Sequence, residues 1–166
     1  MKESGIARRV DQLGRIVLPM EIRKRFKIVE GTLLNLSCEG NTITLEKYSP
    51  LLNFKEYVID ILNICDTYSF LVCDDTSVIL GNHIYKQLVS KSILSNEFED
   101  AVKGNLFNGK FRISDEFVSP MNYHLLFDIV KDGDKYGYLL FSFNNAPNDE
   151  VVGECKFICK YISSKL

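Results

Sequence analysis

No stretch of this sequence holds more than a few apolar residues in a row, so no segment has the length of a transmembrane helix. The charged start, Met1-Lys2-Glu3-Ser4-Gly5, has no apolar stretch behind it. That argues against a secretory signal and for a cytoplasmic location. Histidine is scarce: His83 and His124 belong to no triad or metal-binding pattern. The five cysteines (Cys38, Cys65, Cys73, Cys155, Cys159) are an odd number without zinc-like spacing. Cys155 and Cys159 lie one helical turn apart, but no second Cys or His pair completes a tetrahedral site. Reduced, mostly buried thiols are expected, and no metal. A Walker loop, a dinucleotide fingerprint and a zinc-protease motif are missing, as are internal repeats and low-complexity tracts. Asp74-Asp75 looks like a carboxylate pair but falls between two apolar runs, where Asp serves turns. No catalytic residue and no cofactor are therefore assigned.

What remains is a globular composition, 46% hydrophobic and 25% charged over 166 residues, enough for one ordinary domain or two small ones. The formal charge of −2 hides an asymmetry. Residues 1–50 hold nine Lys/Arg against six acids, a net +3; residues 51–166 hold 11 against 16, a net −5. Eight of the nine bases fall within the first 27 residues, among only three acids. Such polarity suggests two modules, the first made for a polyanion.

The first module reads β-β-α-β-β. Residues 5–11 and 15–18 are expected as strands around a turn at Gln12-Leu13-Gly14. Pro19 opens a helix to about Lys27, with Ile22 and core Phe26 as its apolar stripe. Leu34, Leu36 and Cys38 alternate on a third strand, Gly40-Asn41 turns, and Ile43 and Leu45 alternate on a fourth. About 50 residues without disulfide or metal are hard to stabilise alone, so a homodimer that covers strand edges and apolar faces is expected.

A helix is expected over 51–67, with Phe54, Val58, Ile61 and Cys65 on one stripe. It links the modules, forms part of the second core, or does both. Beyond it come strands at 68–73 and 77–80, a helix near 85–95 and helical character at 97–102. A loop and edge strand follow at 105–113, then strands at 123–130 and 136–143. A last helix is capped by Asn148, with Val151, Cys155, Ile158 and Ile162 as its stripe. The fold class is α+β, with an antiparallel sheet flanked by helices over 68–166.

The basic residues carry the functional signal. Arg8 and Arg9 are adjacent on a strand and face opposite sides. Arg15 follows Gly14, where backbone can approach a duplex closely. Arg23 and Lys24 come early on the short helix. A set spread over three elements suits a surface laid across double-stranded DNA. The bland alternative is a solvated charged face. Phe26 and Tyr48 are the module's only aromatics, so stacking platforms for single strands are missing.

The run Gly5-Ile6-Ala7-Arg8-Arg9-Val10-Asp11-Gln12-Leu13-Gly14-Arg15-Ile16-Val17-Leu18-Pro19, then Glu21-Ile22-Arg23-Lys24, resembles the AbrB-type DNA-binding domain of bacterial transition-state regulators. Glu46-Lys47-Tyr48-Ser49-Pro50 matches the end of that domain. The resemblance implies a swapped-hairpin, β-barrel-like dimer over 1–50, with DNA bound by Arg8, Arg15 and Arg23. Arg9 and Lys24 occupy positions that are basic in the family. Lys24 stands where arginine is common; it keeps the charge and loses the bidentate fork.

The order of this domain, a linking helix and an α+β domain resembles a family of sporulation regulators of endospore-forming bacteria. That resemblance implies a GAF-like second domain and a homotetramer assembled through helical contacts between dimers. The GAF-like domain would either sense a small-molecule effector or serve assembly alone, and the two readings stand level. The function expected is thus a double-stranded DNA-binding transcription regulator of sporulation genes. An antitoxin-like protein, whose C-terminal part binds a protein partner, is the alternative. A cysteine-based redox enzyme of GAF fold is a third reading, weakened because Cys65 and Cys73 fall on apolar stretches.

Overall fold

The computed structural model describes residues 6–64, 68–90, 94–101 and 103–166. The chain divides into two compact units, Met1–Tyr48 and Ser49–Leu166.

In the first unit, α1 (Met20–Arg25) is followed by a hairpin of β1 (Leu34–Glu39) and β2 (Thr42–Lys47). Gly40-Asn41 makes the two-residue turn, and Glu39 pairs with Thr42. Period-two alternation puts Leu36 opposite Leu45 and Cys38 opposite Ile43 on one apolar face. Pro19 is the cap of α1, not its first residue, and the helix ends at Arg25.

Two expectations fail here. Residues 6–10 and 15–18 form no strand. A strand exists only when another strand satisfies its N–H and C=O groups. The backbone bonds across this segment are Asp11 N–H to the Arg15 carbonyl and Gly14 N–H to the Asp11 carbonyl, both turn bonds at 3.0 Å. Phe26, expected in a core, is 41% exposed, and α1 buries no residue.

The second unit opens with α2 (Pro50–Asn53) and α3 (Lys55–Ile64), so the expected single helix is broken at Phe54. Its expected continuation over 65–67, including Cys65, lies outside the described residues. Leu51 and Val58 are buried in this unit's core. Then come β3 (Ser69–Cys73), β4 (Val78–Gly81), a 3-10 helix (His83–Leu88) and α4 (Asn96–Asp100). The chain continues through β5 (Leu106–Asn108), β6 (Phe111–Ser114), β7 (Phe117–Ser119), β8 (Tyr123–Lys131), β9 (Asp134–Phe143) and α5 (Asp149–Lys165). Five strands form one antiparallel sheet in the order β4-β3-β9-β8-β5, and β6 and β7 pair separately.

Side chains alternate across this sheet into two cores. Leu125, Phe127, Ile129, Leu139 and Phe141 pack with Leu51, Val58, Cys155, Ile158 and Ile162. Leu126, Tyr138 and Leu140 pack on the other side with Tyr85, Leu88, Phe98, Phe111 and Ile113. Because both faces are covered, all five residues of β3 are buried.

Local signals read from the sequence are carried out here. Asp132 (φ +54°) and Gly133 (φ +90°) turn β8 into β9, the left-handed pair that a type I′ hairpin needs. The Asp74 carboxylate accepts Thr76 N–H and Ser77 N–H, each at 2.8 Å, so it holds the β3–β4 turn. The Asn148 side chain accepts Val151 N–H at 2.9 Å, an N-cap contribution of about 1 kcal/mol. At the start of the helix expected over 85–95 stands the 3-10 helix, and residues 91–93 of that expectation lie outside the described residues. Tyr85 and Leu88, three apart, are the buried residues of the 3-10 helix. The chain then leaves extended at Val89, because Ser90 N–H bonds the Val78 carbonyl at 2.9 Å.

Gly137 marks the closest approach in the sheet. A Cβ there would collide with the Cys73 carbonyl and come within 2.8 Å of Leu51 Cδ1. Backbone cannot yield as a flexible side chain can. Gly137→Ala is therefore expected to cost about 2 kcal/mol or more, read as a lower midpoint in urea denaturation at unchanged slope.

Candidate nucleic-acid interface

The turn at residues 11–15 is organised by one carboxylate. Asp11 Oδ1 accepts the N–H groups of Leu13 and Arg15, both at 2.9 Å. Its Oδ2 accepts Arg15 Nε–H at 2.8 Å. Gly14 closes the turn at φ +76°, a region that a side chain would strain. The Arg15 guanidinium is thus tethered through one nitrogen. Its two terminal amino groups have no protein partner among the described residues.

The other sequence-predicted residues lie on two further segments. Arg8 and Arg9 are on the irregular stretch before the turn, and Arg23 and Lys24 are on α1. All four are exposed, and none has an acid partner among the described residues. No hydrogen bond or ion pair among those residues ties Arg8 or Arg9 to Arg15 or to α1. Among the described residues, Arg15 is held in direct contact with Asp11. Chemically, the arrangement presents unneutralised guanidinium and ammonium groups to solvent, which suits phosphate oxygens and base edges.

Asp11 is the residue that sequence reasoning passed over, counting it merely as an acid among bases. Its signal was available: an Asp two and four residues ahead of N–H groups, with Gly at the turn's end, is an Asx-type turn.

A family model described as antidote-toxin recognition MazE, bacterial antitoxin, matches residues 7–52. Stage V sporulation protein T of Bacillus subtilis (strain 168), SpoVT, is 34% identical over 172 residues, covering 93% of this chain and 89% of that protein. The chain belongs to the SpoVT family. Two further proteins of the same organism match the N-terminal unit. Transition state regulatory protein AbrB is 44% identical over 50 residues, 30% of this chain and 52% of AbrB. Putative transition state regulator Abh is 42% identical over 50 residues, 30% of this chain and 54% of Abh. The SpoVT likeness therefore runs through both units, and the AbrB likeness stays in the unit that holds the basic residues.

The second unit of this SpoVT-family chain offers little for covalent chemistry. Burial pushes the Cys73 thiol well above its ordinary pKa, and burial first of all raises Cys159 to about 12. Cys155 is also buried, while Cys38 on β1 is exposed. His124 is buried too, in a closed chain of hydrogen bonds. The Tyr85 hydroxyl donates to Ser142 Oγ at 2.7 Å, Ser142 lies 2.8 Å from His124 Nδ1, and Nε2 lies 3.2 Å from the Met121 carbonyl. Burial lowers the His124 pKa, disfavouring the charged ring. Among the described residues no group of three or more His, Cys, Asp or Glu could hold a metal, and no helix is long and apolar enough to cross a membrane.

The Arg15 backbone N–H, then its guanidinium, hold the Asp11 carboxyl below the usual carboxylate range. A depressed pKa means that the turn's stabilisation is full above the unfolded value, about 3.9, and is lost as pH falls through the folded one. Carboxyl-carbon NMR is expected to show Asp11 titrating below exposed aspartates. In Arg15→Ala its midpoint should move part-way back up, since the backbone bond from residue 15 survives. An Asp11 midpoint in the ordinary range would contradict this turn geometry.

Proposed function

We infer that this chain is a double-stranded DNA-binding transcription regulator of sporulation that acts as a homo-oligomer. The observation that carries the reading is the Asp11–Gly14 turn, which holds Arg15 out with its terminal amino groups unpaired, in a unit where Arg8, Arg9, Arg23 and Lys24 are equally exposed. In this reading those five residues contact DNA, positioning on phosphates and with arginine reaching base edges. The names of the relatives, a sporulation protein and two transition-state regulators, support it.

Homo-oligomerisation follows from what one copy leaves uncovered. Val10, Ile16, Val17, Leu36 and Ile43 are each more than half exposed. A second copy that interleaves its residues 6–18 as strands would cover these side chains and satisfy the strand edges, as a swapped hairpin does. It would also double the basic surface. The antiparallel sheet with helices on its faces supports a GAF-like reading of the second unit. On α5, Phe157 is 69% exposed beside Tyr161, with ring centroids 6.4 Å apart. That exposed aromatic pair supports helix-mediated assembly of dimers into a tetramer. Buried thiols of raised pKa speak against a redox enzyme.

One observation favours the antitoxin-like reading: the matching family model carries that description. Antitoxin segments that neutralise a partner are usually extended and fold on binding. Residues 49–166 instead form a unit with two buried cores, which favours the regulator.

The test is a fluorescence-anisotropy titration of an AT-rich promoter duplex across a salt series, beside Arg15→Ala. Affinity should fall steeply with salt. Arg15→Ala should bind about ten-fold or more weakly and flatten the slope by about one unit per copy in contact. No binding, or an indifferent Arg15→Ala, sinks the reading.

A further inference from the structure

The second unit holds a cleft of about 330 Å³ bounded by Lys103 and Gly104, by Phe127 and Asp128 of β8, and by Lys156 and Lys160 of α5. Small-molecule sites run from about 300 to 1,000 Å³, so the cleft suits a small ligand. Three ammonium groups and one carboxylate line it.

The charges do not cancel where they stand. Asp128 is ion-paired with Lys103, whose Nζ is 3.6 Å from its Oδ1, although that oxygen is buried without a hydrogen-bond partner among the described residues. Lys103 is held further by the Tyr138 ring, 4.8 Å from the centroid. Lys156 and Lys160 are the uncompensated pair. They are exposed, four residues apart on α5, and without an acid partner among the described residues. Side chains at that spacing share one helix face, and like charges there disfavour the helix unless an anion lies between them. Phe127, 8% exposed, gives the cleft an apolar wall from the sheet. Buried Cys159, between the two lysines in sequence, lines the cleft with its thiol protonated and uncharged.

Lysine offers compact point charges, not the planar fork that grips a carboxylate bidentately. Two such charges on one face fit the tetrahedral oxygens of a phosphoryl group. We propose that this cleft binds a small phosphorylated organic molecule, its phosphoryl group between Lys156 and Lys160 and its apolar part against Phe127. The site is independent of the basic residues of the first unit and does not require that they bind DNA.

Phenyl phosphate, inorganic phosphate and benzoate serve as probes, titrated by calorimetry into the full chain, the double variant Lys156→Gln/Lys160→Gln, and Arg15→Ala. Phenyl phosphate should bind saturably and about ten-fold or more tighter than either other probe, since neither combines the dianion with the ring. The double variant should lose about ten-fold or more of that affinity, and Arg15→Ala should keep it. Both lysines are exposed, so the double variant should melt with the parent chain; if it does not, each single Gln variant should show part of the loss. Absence of saturation overturns the proposal. So does inorganic phosphate or benzoate binding as tightly, full binding by the lysine variants, or loss confined to Arg15→Ala.

Discussion

An imbalance between apolar side chains and the means to cover them governs the first unit. The β1–β2 hairpin pairs Leu36 with Leu45 and Cys38 with Ile43 across one face, yet Leu36 is 61% exposed and Val17 of the preceding segment 73%. An isolated two-stranded hairpin is marginal in water. Residues 6–10 and 15–18 carry β-branched side chains but have no ladder to join. In the dimer reading proposed above, one event removes both deficits: strands from each copy complete the ladder while their apolar faces meet. Folding and assembly would then be inseparable for this unit.

The Asp11 carboxylate shows how local order survives without that ladder. One side chain closes a turn through two backbone N–H groups and fixes the root of Arg15 through Nε. The tether restricts the guanidinium before any partner arrives, which lowers the entropy lost when its remaining donors are used. A carboxylate beside an arginine is thus compatible with anion recognition, because it occupies only one edge of the fork.

The second unit has the opposite character. Both faces of its sheet are covered, and buried Tyr85, Ser142 and His124 are linked in one hydrogen-bonded chain, although Ser49 Oγ, Ser114 Oγ and Asp128 Oδ1 are buried without a hydrogen-bond partner among the described residues. Hydrogen-bonded chains of this kind make a core rigid and specific. Rigidity on both sides of the sheet gives α5 and β8 fixed positions, and so gives the cleft between them a defined shape.

Much of the second unit was legible because its cues are local. Strand signals at 68–73, 123–130 and 136–143 marked β3, β8 and β9, Asp132-Gly133 marked the β8–β9 turn, and Asn148 marked the start of α5. The basic set Arg8, Arg9, Arg15, Arg23 and Lys24 was legible by charge alone, as was its setting in a module distinct from the acidic remainder. Sequence could not decide whether β-branched segments become strands, since that depends on a partner strand brought from elsewhere. It could not decide that 83–88 winds as a 3-10 helix, because the distant Val78 carbonyl draws the chain out at Ser90. The cleft lay wholly beyond it, for Lys103, Phe127 and Lys160 are far apart in the chain. Sequence determined what each segment prefers and what charge it carries; tertiary structure decided which preferences find partners, because hydrogen bonds and burial are completed between segments.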